Sequence, residues 1–381
     1  MMLGPWRVVI ALLAGAGSLL AADVLYSVTD IGVSGRFASG DVFAINNAGQ
    51  VTGTSRAGQA FLYDKGQVID LDRLAIFPGS SFTSGGSSIN DSGQITGYYS
   101  SSGFSFRRAF LYSNGQITDL GTLGGLSTSG TSINGAGQIT GVADTAAGDQ
   151  HAFLYSNGQM TDLGTLPGSS SSRGTGVNNA GEIVGTADLN SAFLYSNGQL
   201  TGLGPFSANA INNTGQVVGS DGHAVFYSNG KTIDLGTMGH FFSTAVAIND
   251  LGQVVGFAYN PSSPGNDSPF LYSDGQVLDL NTLIAPGQGV RLNQATGINN
   301  RGQIVATGFG TGTDLDEVYL LTPISSPVPE PRMPAICGLT ITALLAAKRQ
   351  NKRRAAHIVI PSGGSKWPLS EPPNRPRQTV Y

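Results

Sequence analysis

One phrase recurs seven times along the chain, and it limits the possible folds more than any other feature. The pattern Ile/Val-Asn-x-x-Gly-Gln/Glu begins at Ile45, Ile89, Ile133, Val177, Ile211, Ile248 and Ile298, with steps of 44, 44, 44, 34, 37 and 50 residues. Self-similarity at this period marks stacked supersecondary units rather than one irregular core. Each phrase leads into a short strand, as in Gln138-Ile-Thr-Gly-Val142, and an aromatic strand follows a loop of variable length, clearest as His151-Ala-Phe-Leu-Tyr155. Ser156-Asn157-Gly158 then turns the chain into Gln159-Met-Thr-Asp-Leu-Gly164. Asn-Gly between apolar runs is the strongest short hairpin signal, because both central residues of that turn need positive φ. A last segment, Gly130-Thr-Ser-Ile133 in this unit, returns to the phrase, so each unit reads as a four-stranded antiparallel meander. Composition agrees: 55 glycines and only 12% charged residues leave few helix formers and many strand punctuators.

Strands that are apolar on both faces must be covered on both sides, and a ring of like sheets does this. The expected fold is therefore all-β, a seven-bladed β-propeller of four-stranded antiparallel blades over residues 23–326. The chain enters at Tyr26-Ser-Val-Thr-Asp-Ile-Gly32, which matches the last strand of a unit, and the seventh unit ends at Val318-Tyr-Leu-Leu321, which matches a third strand. Residues 26–32 are thus expected to supply the outer strand of the last blade and close the ring. A single cysteine, Cys337, excludes an intrachain disulfide framework.

Catalytic groups are hard to find. Asp30, Asp70, Asp119, Asp162, Asp234 and Asp279 suggest paired carboxylates for glycan hydrolysis, yet they hold equivalent places in successive units. A group needed once has no reason to recur in every blade, so turn or inter-blade hydrogen bonding is the expectation for them and for Asn pairs such as Asn46-Asn47. His151, His223, His240 and His357 show no metal-ligand spacing, and two of them begin aromatic strands. Asp314-Leu-Asp-Glu317 and Asn266-Asp267 read as exposed acidic loops rather than Ca²⁺ loops. No catalytic residue, cofactor or metal is assigned.

Binding is easier to place. In a meander the tight Asn-x-x-Gly and Ser-Asn-Gly turns share one face, and both sets of variable connections share the other. Function gathers on variable loops carried by a rigid scaffold. The residues there that break the repeat are Tyr98, Tyr99, Phe104, Phe106, Arg107 and Arg108 in one loop, Phe241 and Phe242 in a second, and Phe257, Tyr259 and Asn260 in a third. Aromatics with amides suit sugar stacking or protein contact. Between residues 23 and 326 there are 10 Lys plus Arg against 22 Asp plus Glu, a net charge of −12, which argues against nucleic acid as a partner. A non-catalytic module binding exopolysaccharide or a surface protein is the first expectation; an extracellular glycan-cleaving hydrolase or lyase on the same scaffold is the alternative.

The two ends read as addresses. Residues 1–22 carry Arg7, an apolar run from Val8 to Leu20, and small residues at Ala21 and Ala22, the order of a secretory signal peptide. At the other end Pro327-Val-Pro-Glu-Pro331 precedes a mostly apolar stretch, 334–347, and the cluster Lys348-Arg-Gln-Asn-Lys-Arg-Arg354. The stretch is short for a permanent span and suits transient membrane contact through 334–354. Residues 327–354 resemble the PEP-CTERM sorting signal, which implies a Gram-negative exopolysaccharide producer, an exosortase-type protease as partner, and a place at the cell surface or outside the cell. Such signals normally finish near the basic cluster, whereas 27 residues follow here, 355–381, read as a disordered extension. The His-Ala-Phe-Leu-Tyr and Thr-Asp-Leu-Gly-Thr-Leu phrases, at 151–155 and 161–166, resemble those of the extracellular HAF-repeat family. That resemblance implies secretion and a propeller-like repeat, with no activity attached.

Overall fold

The turn chemistry is met at every unit. A computed structural model describes residues 25–35, 43–73, 82–101, 106–262, 265–310 and 316–324. The segments 1–22, 327–354 and 355–381 lie outside the described residues. Six third-to-fourth-strand hairpins turn on two residues of positive φ, as at Asn157 (52°) and Gly158 (80°); the first of the two is Asn in four hairpins, Lys65 in one and Asp274 in another. This is the two-residue turn whose twist matches that of the flanking strands. The phrase itself closes the first-to-second-strand hairpin, with Asn134 N–H bonded to Gln138 O and Gly137 N–H to Asn134 O, each at 3.0 Å.

These turns produce seven separate four-stranded antiparallel sheets. In chain order, blades 1 to 6 span 44–70, 82–119, 124–164, 172–204, 207–234 and 242–279, each a meander of consecutive strands. The first strand of each blade lines a central channel and the fourth lies outermost. The inner strand is bulged, as between Gly130 and Ser132, and the second strand carries glycine opposite. A Cβ on Gly141 would stand 2.0 Å from the Ser129 carbonyl oxygen, and one on Gly97, Gly185, Gly219 or Gly256 would meet the same obstacle at 1.9–2.0 Å. Only glycine lets the two backbones approach this closely.

Blade 7 combines Val290–Ile298, Ile304–Gly310 and Asp316–Ile324 with Leu25–Gly35 as its outer strand. The pairing runs antiparallel from Leu25 opposite Ile324 to Gly35 opposite Asp316. The closing strand is slightly longer than the expected 26–32. Its hold is not only on blade 7: Tyr26 N–H bonds Leu283 O at 2.8 Å and Ala285 N–H bonds Tyr26 O at 2.9 Å. Burial of the Tyr26 ring pushes its phenol up to about 12. Ile31 and Val33 pack with Phe43 and Phe61 of blade 1, so the strand also seals the last interface of the ring.

The core lies between blades rather than within them. Phe153 of blade 3, for example, is buried with Ile139 of its own sheet and with Ala109 and Leu120 of blade 2. The same position of the aromatic strand buries Phe61, Phe110, Phe193 and Phe270. Full burial of one such ring contributes roughly 1.5–3 kcal/mol.

Candidate functional site: the two mouths of the channel

At the tight-turn mouth, the recurring Asn residues form a closed hydrogen-bonded ring. Asn46 Nδ2 donates to Asn90 O, Asn90 to Asn134 O, Asn134 to Asn178 O, Asn178 to Asn212 O, Asn212 to Asn249 O, Asn249 to Asn299 O, and Asn299 back to Asn46 O, at 2.8–3.3 Å. The second amide hydrogen of each goes to the Gln or Glu that ends its phrase, as Asn134 to Gln138 Oε1 at 2.7 Å. Oδ1 of each accepts two backbone N–H groups of its own turn, for Asn134 those of Ala136 and Gln138. All four hydrogen-bonding sites of the amide are used, and the seven residues are at most 5% exposed. No shorter or longer side chain makes this set.

A second ring runs through the next residue of each phrase. Asn47 N–H bonds Asp91, Gly135 N–H bonds Asn179, and the chain continues through Asn213, Asp250 and Asn300 back to Asn47. Gly135 has no side chain to accept from Asp91 N–H, so this ring has one gap among the described residues. Desolvation opposes the charge on Asp250, but donors from Asn213 and Asn300 outweigh it and hold its carboxyl below the ordinary range.

On the outer strands, every repeated Asp is tied to its own turn. Asp30, Asp70, Asp119, Asp162, Asp234 and Asp279 each accept the backbone N–H two residues on, at 2.7–3.0 Å. Three of them also hold the residue just before the Ala of the aromatic phrase: Arg108 on Asp119, His151 on Asp162 and His223 on Asp234, each at 2.9 Å. Arg108 is therefore the repeat-equivalent of the two histidines, visible once Arg108-Ala-Phe-Leu-Tyr112 is set against His151-Ala-Phe-Leu-Tyr155. Tyr99 Oη donates to the same Asp119 at 2.7 Å, and burial followed by that carboxylate pushes its phenol up. Tyr99 and Arg108 form one structural cluster on Asp119, with Arg108 Nε buried and unpartnered. Asp267 accepts from Gln294 Nε2 at 2.7 Å; Asp314 lies outside the described residues. Among the described residues no three His, Cys, Asp or Glu side chains stand together as metal ligands.

The variable-loop mouth is different. A cavity of about 470 Å³ is walled by inner-strand residues, among them Thr131, Thr175, Asn209 and Thr296, and by Phe257 and Arg173. Most of its polar wall is committed: Thr131 Oγ1 donates to Gly174 O, Thr175 Oγ1 to Ala208 O, Asn209 Nδ2 to Ala245 O and Thr296 Oγ1 to Phe43 O, all across blade boundaries. Arg173 is not. Its guanidinium has no hydrogen-bond or ion-pair partner among the described residues, and desolvation, with help from Arg107, lowers its pKa. The side chain keeps contact with solvent inside the channel although protein surrounds it. A second cavity of about 280 Å³ adjoins, walled by Arg107 of blade 2, Ser127, Ser129, Asp144 and Gln150 of blade 3, and again Arg173.

Several expected loop residues belong to strands, because the strands run further toward this face than their apolar cores suggest. Tyr98 and Tyr99 lie in Ile95–Ser101, Phe242 in Phe242–Ile248, and Phe257 and Tyr259 in Val254–Tyr259. Alternation puts Tyr98 and Tyr99 on opposite faces of the sheet: Tyr99 goes to Asp119, while Arg107 lies over the Tyr98 ring, 4.1 Å from its centroid. Phe257, Tyr259 and Phe242 form a ladder with ring centroids 5.8 and 5.7 Å apart, running from the cavity wall outward. Phe241 is 70% exposed, its N–H held by Asn260 Oδ1 at 2.7 Å. Phe106 is half-buried, and Phe104 lies outside the described residues. Arg173 was not among the candidates. The signal for it was present: Ser172-Arg-Gly-Thr-Gly-Val177 aligns with Thr128-Ser-Gly-Thr-Ser-Ile133, and no other Lys or Arg occurs between Arg108 and Lys231.

No family model matches the chain, and no curated protein does. Among solved structures it is similar to a chain of a mitotic checkpoint complex (14% identity, 84% of this chain and 100% of that one covered, TM-score 0.47). It is also similar to the WD40 domain of SCAP from fission yeast (10% identity, 78% and 99% covered, TM-score 0.35). A third is a Trypanosoma rangeli sialidase solved with sialic acid (12% identity, 90% and 64% covered, TM-score 0.35). At these identities and scores the likenesses say nothing of ligand or chemistry.

Proposed function

We propose that the chain is an exported, non-catalytic binding module of the cell surface or extracellular matrix, which engages a polysaccharide at the variable-loop mouth of its channel. One observation carries the reading. The recurring carboxylates and amides are used within the fold, whereas the groups left for a ligand, Arg173, Arg107 and the outer aromatics Tyr259, Phe242 and Phe241, gather at one mouth. A rigid ring with its free polar and aromatic groups on one concave face has the form of a ligand platform. Export rests on the sequence order of residues 1–22 and 327–354.

The test is a glycan array probed with the 23–326 fragment, read beside an assay for new reducing ends. Binding without release is the expected result. Release of reducing ends would convert the module into a glycan-cleaving enzyme, and silence in both assays would move the ligand from sugar to a surface protein.

A further inference from the structure

We infer that the cavity between Arg107 and Arg173 is a subsite for a carboxylate-bearing sugar residue, so that the glycan bound is an acidic one; this rests on the reading of the mouth as a polysaccharide platform. Two guanidiniums, one from blade 2 and one from blade 4, stand on either side of the top of blade 3 and wall one cavity. They are near enough that Arg107 contributes to the lowered pKa of Arg173. Neither is within 4.0 Å of a carboxylate among the described residues, although blade 2 does pair its other arginine, Arg108 with Asp119. Like charges brought together without a counterion are favourable only if something else neutralises them.

The wall decides which anion fits. Asp144 faces the same cavity, its Oδ2 accepting Ser127 N–H at 3.0 Å and its Oδ1 accepting Gln150 Nε2 at 3.3 Å. Two guanidiniums and one carboxylate leave a single positive charge, which one carboxylate balances and a phosphate dianion overshoots. The body around it carries −12, so a densely charged polyanion is repelled from everything except this spot, while a sparsely charged glycan is not. Between the arginines the wall offers the hydroxyl of Ser129 and the amide of Gln150, donors and acceptors suited to a polyol. The Tyr98 ring under Arg107 fixes that guanidinium in place. The cavity, about 280 Å³, is near the low end of small-ligand sites, and Arg173 also walls the 470 Å³ channel cavity, where neighbouring sugar residues would continue.

The test is calorimetric titration of the full chain with neutral-sugar tetrasaccharides that carry a single galacturonate or a single mannuronate residue, and with the same tetrasaccharides after reduction of that carboxyl to an alcohol. At least one acidic form should bind about tenfold or more tightly than its reduced form, the weight of one charge-assisted hydrogen bond. Arg107→Gln and Arg173→Gln should each weaken that form by about tenfold with unchanged thermal unfolding, and Asp144→Asn should tighten it a few-fold. Tightening by Asp144→Asn is the readout that a purely structural role for these residues would not produce. Equal binding of acidic and reduced sugars would overturn the carboxylate subsite and leave the polysaccharide platform standing. Binding of neither would overturn the subsite, with the platform itself judged by the wider array. Displacement of a bound uronate by a Glu-rich peptide of higher affinity would overturn it in favour of an acidic protein.

Discussion

The two mouths of the channel are built from the same seven inner strands and share almost no chemistry. At the tight-turn mouth each blade presents the same Ile-Asn pair, Val-Asn in blade 4, and each Asn binds the carbonyl of the next. A residue repeated around a closed ring always finds its own neighbour as partner, so its polar groups end up inside the structure. At the variable-loop mouth the equivalent positions differ. Where blade 3 has Ser129 and blade 5 has Ser207, blade 4 has Arg173. A residue that occurs once has no matching neighbour, and its charge is left for a ligand. The difference teaches that in such a ring repetition marks structure and exception marks function.

The comparison is most severely tested by removing the strand that makes the ring continuous. Deletion of residues 23–33 should abolish cooperative unfolding of the body and with it both mouths, since it strips blade 7 of its outer strand and uncovers Phe43 and Phe61. An unchanged thermal transition would break the account of closure. Next in size, Asn134→Ala removes the inter-blade bond to the Asn178 carbonyl, which keeps only Gly181 N–H, and leaves the Ala136 and Gln138 N–H groups without their acceptor; it should cost about 3 kcal/mol, whereas Arg173→Ala should stay within about 0.5 kcal/mol of the parent. Chemical denaturation of the pair checks both; equal costs would erase the distinction between the mouths.

A smaller effect sharpens the picture of the second ring. Gly135→Asn supplies the missing acceptor for Asp91 N–H and should stabilise by about 0.5–1 kcal/mol. A Cβ at Gly135 meets Asn179 Oδ1 at 3.0 Å, a contact that has to relax, and a loss of stability would show that this crowding wins. The smallest effect is a pH dependence. The Asp234 carboxylate raises the pKa of His223 above its ordinary value, and His223 in turn lowers that of Asp234. The raised His contributes fully below about pH 6.5 and loses its contribution as pH rises through the raised value; the lowered Asp contributes above about pH 4 and fails as pH falls. The stability difference between the parent and His223→Gln should therefore be greatest between about pH 4 and 6.5 and vanish toward pH 9. A difference unchanged across that range would show that the pair acts through packing.

How far all this could be read from the chain depends on whether a feature is local. Asn157-Gly158 names its turn because two positive φ values are a property of two residues. Tyr26 to Gly32 could be matched to an outer strand because the repeat supplied six examples for comparison. Arg108 and Tyr99 looked like free loop groups because Asp119, which holds both, is 11 and 20 residues away in sequence. Arg173 drew no attention because its importance comes from where the inner strand puts it, beside an arginine 66 residues earlier in the chain.

The sequence alone determined the number of blades, the course of each meander and the strand that closes the ring, since periodicity, turn residues and two-sided hydrophobicity are written residue by residue. Only the tertiary structure decided which polar groups remain free. Each bond of the Asn ring joins residues 34 to 253 positions apart. Whether a given Asn, Asp or Arg is used by the fold or left for a ligand is therefore a property of the closed ring, and no shorter stretch of the chain contains it.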